Sequence, residues 1–529
     1  MTGVQTCALP ILSNSYVPGA AYNWLGGGRL KTDTFLGERT NSRAFGVSGT
    51  DVPSDRLLIS GTAPTLPSQS ALATGVIVNN TNPTFASYNP LGITVVGVNA
   101  SSTNAFRLAG LTCGSSITTD FCASAGAQLQ ANLGPMGAIK SGWWSYYLLQ
   151  STAPETKADG LTGAAASEYR LYGLPGPEAL SLPYAISGAQ NMWFETTTDW
   201  LNRQDDLHRW WRRSARAAGS AAGGGADVPA TAGQSGYVSN GGPGFWMKAS
   251  GAWADRKSSF NLGTLVPAAV VLPAQNLSFK QNTYAVMAGY DTGAGGLLTP
   301  ADGFVVGVMG GYNQSTLSFK AFPASFNYTG GSVGLSATYL NNGWFADSLL
   351  KADLLRLTMS FGGLTKFGFA ETPVNVWNLG YLGNLGYRYQ LGSAYIEPAA
   401  TLAYVRTAID NFTALGMTTK FSDGEALRGA LGARLGAVVF DDETHVVDAS
   451  IQARYWDAFS NVAGVTLGTA GPALLENDNL QTKSYVEVRG LWDVALKGSS
   501  GFSGFVDAGA KFNNQSTIIS TKGGLRYQW

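Results

Sequence analysis

"IISTKGGLRYQW", residues 518–529, closes the chain on an aromatic side chain. On an extended strand, Ile519, Thr521, Gly523, Leu525, Tyr527 and Trp529 share one face. Ser520, Lys522, Gly524, Arg526 and Gln528 share the other, because successive side chains of a strand alternate sides. One face is apolar and ends in aromatics; the other is polar and charged. Chain ends are ordinarily polar and frayed, so this one needs a cover for its apolar face.

The pattern repeats upstream. Val506, Ala508, Ala510 and Phe512 alternate with Asp507, Gly509 and Lys511. Val486, Val488, Gly490, Trp492 and Val494 alternate with Glu487, Arg489 and Asp493, and Val447, Ala449, Ile451, Ala453 and Tyr455 with Asp448, Ser450, Gln452 and Arg454. About twelve such strands can be read, at roughly 243–258, 281–292, 303–319, 327–341, 344–361, 375–391, 394–410, 427–440, 445–460, 484–497, 502–513 and 518–529. Soluble strands average about 5–6 residues, whereas a tilted membrane-spanning strand needs about 9–11; these are of the second kind. Tight links "NNG" (341–343), "LGS" (391–393), "DDET" (441–444) and "GSSG" (498–501) alternate with long ones at 263–280, 362–374, 411–426 and 461–483. Outer-membrane barrels have short periplasmic turns and long extracellular loops in the same way. An even strand number returns both barrel ends to the periplasmic side.

A β-sandwich also alternates, but this one would have no second layer. No amphipathic helix interrupts 243–529 to cover an apolar face that forgoes roughly 25 cal/mol per Å² in water. Lipid outside resolves this. Arg428, Arg434, Arg454, Glu487, Arg489, Asp507, Lys511, Lys522 and Arg526 then face a lumen expected to be wet, where a charge costs little.

Composition points the same way. The 34 basic and 34 acidic residues cancel, which argues against a nucleic-acid partner. Charged residues make up 13%, against roughly 25% in soluble domains. No run of about 18 apolar residues supports a membrane-spanning helix.

Upstream of the strands the chain divides by composition. Residues 1–11, "MTGVQTCALPI", read as a translated sequencing adapter and are set aside; the native chain is then expected to begin near Leu12, as a fragment open at its N-terminus. Residues 12–185 are rich in Gly, Ser, Thr, Asn and Ala with short β-prone runs. Residues 187–213 read as a helix with Ser187 as N-cap. Trp193, Thr197, Trp200, Gln204, Leu207 and Trp211 follow helical spacing, and Arg203, Asp205, Asp206, Arg209 and Arg212 occupy the other faces. Such a helix reaches roughly 40 Å, enough to thread a bilayer; an ordinary surface helix is the competing reading. Residues 214–242 are a small-residue, flexible linker.

In this order of parts the chain resembles the classical (type Va) autotransporters. The likeness is carried by "GWWSYYLLQ" (142–150), "YRLYGLPGPEALSLPYAISGAQNMWFETTTDWLNRQDDL" (169–207) and "GGLRYQW" at the end. It implies an all-β membrane protein: a 12-stranded antiparallel transmembrane β-barrel (243–529), preceded by a helix in its pore (186–213), a linker (214–242) and the parallel β-helix-like end of a passenger (12–185). For 12–185 a disordered linker is the alternative. The resemblance also implies that the passenger crosses the outer membrane as a hairpin, through or beside the nascent barrel, and folds outside without ATP. Trp193, Trp200, Arg203, Asp205, Asp206, Leu207 and Trp211 would plug the pore. Leu525, Tyr527 and Trp529 would be the signal read by the barrel-assembly machinery. Periplasmic chaperones, outer-membrane lipid and lipopolysaccharide are the other expected partners, and the barrel is expected to be monomeric. The passenger is expected to be adhesin-like and displayed at the cell surface. A porin-like channel, or a surface hydrolase whose catalytic part lies upstream, are the rival functions.

No enzymatic chemistry is expected. His208 and His445 stand apart, and no G-x-S-x-G elbow with a Ser/His/Asp set occurs. Cys and His do not cluster at metal-ligand spacing, the "GGG" runs at 26–28 and 223–225 lack the G-K-[ST] of a phosphate loop, and no cofactor is implied. Cys113 and Cys122 are expected to form a disulfide around a ten-residue loop, which the cell surface permits; two free thiols are the alternative. Asn191, Asn202, Asp205 and Asp206 are candidates for cleavage of the passenger in the pore, but match no cleavage motif.

Overall fold

The computed structural model describes residues 28–34, 57–59, 61–67, 72–80, 87–113, 138–151 and 166–201, with residues 36 and 70, and then 244–266, 272, 274–299, 302–468, 472–475, 484–496 and 501–528. In the N-terminal part, β1 (Arg29–Thr34), β2 (Leu57–Ile59), β3 (Thr74–Asn80), β4 (Asn89–Val98) and β5 (Phe106–Cys113) follow one another. β1, β3 and β5 lie side by side in parallel, and so do β2 and β4. These are rungs of a parallel β-helix, not a disordered linker. Leu30, Val76 and Leu108 stand in register and are buried, so each rung covers the apolar face of the next. β6 (Ala138–Ser141), β7 (Trp144–Ser151) and β8 (Ser167–Pro175) then add antiparallel strands against β4 and close the stack.

Two helices leave this stack, α1 (Pro177–Ser181) and α2 (Tyr184–Leu201). The start of α2 differs from the reading at Ser187. That residue lies inside the helix, where its hydroxyl donates to the Tyr184 carbonyl at 3.4 Å. The chain turns from α1 straight into α2, with Ala185 N–H donating to Leu182 O, so no side-chain cap is needed where one was expected. The 18 described residues extend about 27 Å. Residues 202–213, with Arg203, Asp205, Asp206, Leu207, His208 and Trp211, lie outside the described residues, as do the linker 214–242 and Cys122.

The C-terminal part is a closed barrel of twelve long strands. They are β9 (Gly244–Arg256), β12 (Phe279–Gly295), β13 (Asp302–Phe319), β14 (Ala324–Asn341), β15 (Trp344–Phe361), β16 (Thr372–Tyr387), β18 (Ala394–Ile409), β21 (Gly424–Asp441), β22 (His445–Val462), β25 (Tyr485–Leu496), β26 (Phe502–Phe512) and β27 (Ser516–Gln528). Each is antiparallel to the next, and β27 closes on β9, with Gln528 opposite Gly244. No strand edge is therefore left open to lipid. Short strands fill the intervals: β10 (Ser259–Asn261) and β11 (Ala274–Asn276), β17 (Tyr389–Leu391), β19 (Phe412–Ala414) and β20 (Met417–Phe421), and β23 (Gly464–Leu467) and β24 (Ala473–Leu475). β19, β20, β23 and β24 join as a four-stranded sheet outside the barrel wall.

The periplasmic links are tight for local reasons. Asn342 and Gly343 both have positive φ, 46° and 91°, the two-residue turn that matches the twist of a hairpin. In the turn 441–444, the Asp442 carboxylate accepts from the amides of His445, at 2.5 Å, and Thr444, at 2.7 Å. Those two amides hold the carboxyl below its ordinary range. On the loop side, two of the connections, 320–323 and 513–515, are short as well.

The outer surface of β13 shows the apolar belt: Phe304, Val306, Val308 and Tyr312 are exposed, spanning roughly 27 Å along the strand. Phe245, Tyr290, Trp344 and Tyr527 lie toward the periplasmic ends, and Trp253, Tyr284 and Trp377 toward the other; all are exposed, as aromatic girdles require. Above Tyr312 the sidedness inverts. Gln314 and Ser318 face out while Leu317 and Phe319 are buried. The same holds on β12, where Lys280 and Asn282 face out and Phe279 is buried, on β14 with Phe326 and Tyr328 inside, and on β15 with Arg356 outside and Leu357, Met359 and Phe361 inside. The expectation of a uniformly polar inner face is therefore corrected: the upper parts of β12–β16 rise above the lipid and are built like soluble β-structure.

Candidate translocation pore

α2 lies inside the barrel. Of its described side chains only Glu195 is partly exposed, so the helix is enclosed on all sides rather than along one stripe. The wall reaches for its backbone. Tyr328 OH donates to Ala185 O at 2.9 Å, Gln281 Nε2 to Gly188 O at 2.9 Å and Asn378 Nδ2 to Ala189 O at 3.1 Å. The helix reaches back through Trp193, whose Nε1–H donates to the Lys351 carbonyl at 3.1 Å. That indole lies against β16 where only glycine fits: a Cβ on Gly380 would stand 2.3 Å from Trp193 Cζ2.

Two ion pairs seat the next turn. Lys511 Nζ donates to both Glu195 oxygens at 2.8 Å. Lys351 Nζ, fully buried, donates to Asp353 Oδ1 at 2.6 Å and to Thr196 Oγ1 at 2.9 Å, and lies 5.7 Å from the centre of the Trp193 ring. Arg428 stacks its guanidinium on Phe194 at 3.8 Å and donates to Asn191 Oδ1 at 3.4 Å. Trp193, Phe194 and Trp200 form an apolar cluster with Trp246, Met287, Met309, Leu349 and Leu382 of the wall.

The other inward charges pair in separate groups. Arg489 binds Asp507 at 2.5 Å and Glu487 at 3.1 Å. Glu487 also accepts from Trp456 Nε1 at 2.7 Å and lies 4.0 Å from Lys511. Lys522 lies 3.9 Å from Asp507, Arg526 lies 3.6 Å from Asp291, and Arg388 and Arg434 share Glu397 at 2.6 and 3.9 Å. Arg454 faces inward beside Gln452. All nine charged residues assigned to the lumen from sequence point inward, and each is at most 5% exposed. Packed in this way, and all but Arg428 and Arg454 ion-paired among the described residues, they differ from the freely hydrated lining expected of a wet lumen. Such charges tolerate burial because partners satisfy them. Leu525 and Tyr527 face outward from β27; Trp529 lies outside the described residues.

At the mouth, the end of the β-helix and the barrel share one core. Trp143 stands edge-on to Phe361, Phe369 and Phe412 at 5.3, 5.8 and 6.5 Å, and its Nε1–H donates to Ala414 O at 3.2 Å. Tyr184 packs edge-on against Phe279 and Phe319, and its hydroxyl meets Ser258 Oγ at 2.5 Å. Lys140 pairs with Glu178 at 3.3 Å beside Lys366, whose ammonium is held below its ordinary range by burial first and by Lys140 second. Tyr146, deep in the stack, has its hydroxyl pushed well above the usual range by burial.

Reading the sequence missed Lys351, Asp353, Glu195, Gly380 and the apolar mouth. Lys351 and Asp353 share parity with Leu349 and Leu355, so their face looked mixed. The polar-to-apolar switch from Asn313 and Ser315 to Leu317 and Phe319 on one face was the available signal for the mouth.

A closed barrel with an apolar belt outside, and a helix of the same chain threaded through it, defines an outer-membrane β-barrel that carries its own N-terminal segment. Residues 245–476 match the family model described as the autotransporter beta-domain, and the C-terminal barrel belongs to that family. No curated protein matches the chain. Among solved structures, the beta domain of the Bordetella autotransporter Brka is 17% identical, with 54% of this chain and 100% of that one covered and a TM-score of 0.41. The transport unit of AIDA-I from Escherichia coli is 14% identical, covering 54% and 90% at 0.41. The translocator domain of NalP from Neisseria meningitidis is 13% identical, covering 63% and 98% at 0.39. The protein is an outer-membrane translocator of type V secretion, with its passenger at the cell surface. The translocator itself is a transporter, not an enzyme.

Proposed function

We propose that residues 12–185 are the C-terminal end of an adhesin-like passenger, that 186–213 remain in the pore as its plug once export ends, and that 214–242 link the plug to the barrel 243–529. The observation that carries this reading is the continuous path from the β-helix through α1 into a helix held by hydrogen bonds and ion pairs inside the closed wall. A plug so held supports a translocator at rest over an open porin. The whole chain is read as non-enzymatic, because the sequence carries no nucleophile–base set. Cys113 and Cys122 are read as a disulfide in the passenger.

The partners follow from the surfaces. Lipid and lipopolysaccharide surround the belt of a monomeric barrel. The barrel-assembly machinery reads the outward Leu525 and Tyr527 with Trp529, and periplasmic chaperones hold the chain before insertion. Nucleic acid has no role. An epitope placed near residue 60 tests the reading: it should be cut by protease added to intact cells. An epitope protected until the outer membrane is permeabilised would refute surface display of this segment.

A further inference from the structure

Beside α2, near the upper ends of β25–β27, the wall encloses a cavity of about 20 Å³ lined by Arg256, Arg428 and Lys511, with Glu195, Tyr485 and Ser516. That is room for about one water or an ion of similar size. The carboxylate of the lining is taken, since both Glu195 oxygens bind Lys511. Arg428 is 5% exposed. Among the described residues it has no carboxylate within 4 Å: its contacts are the Asn191 amide oxygen at 3.4 Å, the rings of Phe194 and Tyr485, and the Tyr485 hydroxyl. Among the described residues its buried Nε–H has no acceptor, and the buried hydroxyl of Ser516 has no partner.

A guanidinium does not lose its proton in a protein, so Arg428 cannot relieve burial by becoming neutral. A buried charge without a counter-charge is costly, and two unused donors line the same small cavity. We infer that this cavity binds a small monovalent inorganic anion of halide size, held by Arg428 and Ser516. The anion completes the charge balance between the plug and the wall: Arg428 holds it from β21, Ser516 from β27, and Asn191 and Phe194 of α2 lie against the same guanidinium. A β-bulge between Leu427 and Arg428 in the pairing of β21 with β22 sets the strand irregularity where such devices concentrate.

Bromide is the probe. In the purified full chain, the midpoint of heat unfolding should rise saturably with sodium bromide and not with sodium gluconate at equal ionic strength. Ser516→Ala should weaken the half-saturating bromide concentration several-fold, and Arg428→Gln should abolish the response. Crystals soaked in bromide should show anomalous scattering between Arg428 and Ser516. Equal midpoints in the two salts, a full response in R428Q, or water or an acidic side chain of the chain itself in the cavity would each overturn the proposal. If R428Q does not fold, S516A and the bromide signal decide.

Discussion

The lower and upper halves of strands β12–β16 are built on opposite rules. In the lower half the outside is apolar and the inside polar, as Val306, Val308 and Leu350 outside and Asp291, Lys351 and Asp353 inside show. In the upper half Asn282, Gln314 and Arg356 are outside and Phe279, Leu317, Phe326 and Phe361 inside. One unbroken hydrogen-bonded sheet runs through both. The solvent decides which face is greasy: hydrocarbon surrounds one half, and water the other. The consequence for export is a division of labour. The apolar upper interior grips the passenger's base, and polar side chains of the inner wall, from Tyr328 and Gln281 down to Lys351, grip the plug through hydrogen bonds and ion pairs.

The largest effect is expected from breaking the upper grip. Trp143→Ala removes an indole that is 1% exposed among three Phe rings, where such a truncation costs about 3–5 kcal/mol. Residues 138–186 should become protease-sensitive on intact cells while the barrel keeps its heat-dependent gel mobility. Unchanged protease resistance would show that the shared core does not hold the passenger's base. The next effect belongs to the polar grip on the plug. Lys511→Met leaves Glu195 without its cation while Glu487 keeps Arg489, and breaking a buried pair costs about 3 kcal/mol or somewhat less here, since Glu195 keeps 13% exposure. Planar-bilayer conductance should rise. Pairing it with Glu195→Gln should cost less than the sum of the two single changes; strict additivity would mean that the ion pair does not couple helix to wall. Gly380→Ala is expected to be milder. The added methyl meets Trp193, and overpacking of this kind costs about 1–3 kcal/mol. Brief openings in single-channel records, absent when Trp193→Ala is combined with it, would tie the leak to that contact.

The same division explains what the sequence could and could not tell. The lower strands were legible because one solvent acts on one face over many residues, so Leu525 and Tyr527 alternate cleanly with Lys522 and Arg526. The upper strands were not, because the pattern keeps its period of two while the sign reverses, and Phe319 reads as continuing whatever Val305 began. The strand limits near 324 and 372 were accordingly set a few residues late, inside the inverted part. Within the pore, helical spacing at Trp193 and Trp200 marked the helix but not its partners. Lys351, Asn378 and Gly380 lie more than 150 residues away in sequence, and only closure of the barrel brings them to it. Ser187 misled because capping is a local rule, and here α1 supplies the turn instead.

Outside both halves, the periplasmic turns obey local chemistry alone, which makes them the control for the comparison. Asp442 accepts from the amides of His445 and Thr444, and its carboxyl is held below the ordinary value of 3.8. A carboxylate with a depressed folded value contributes stability that is present above its unfolded value and lost as the pH falls through the folded one. Exchange of the Thr444 and His445 amides should therefore be slow at neutral pH and quicken as the pH drops below about 4. In Asp442→Ala the exchange should be fast at every pH, relative to the ordinary base-catalysed trend, and neither the protease resistance at Trp143 nor the conductance set by Lys511 should change. If D442A loosened the plug or the passenger's base, the turns would be coupled to the pore, and the separation of the grips from the purely local structure would fail.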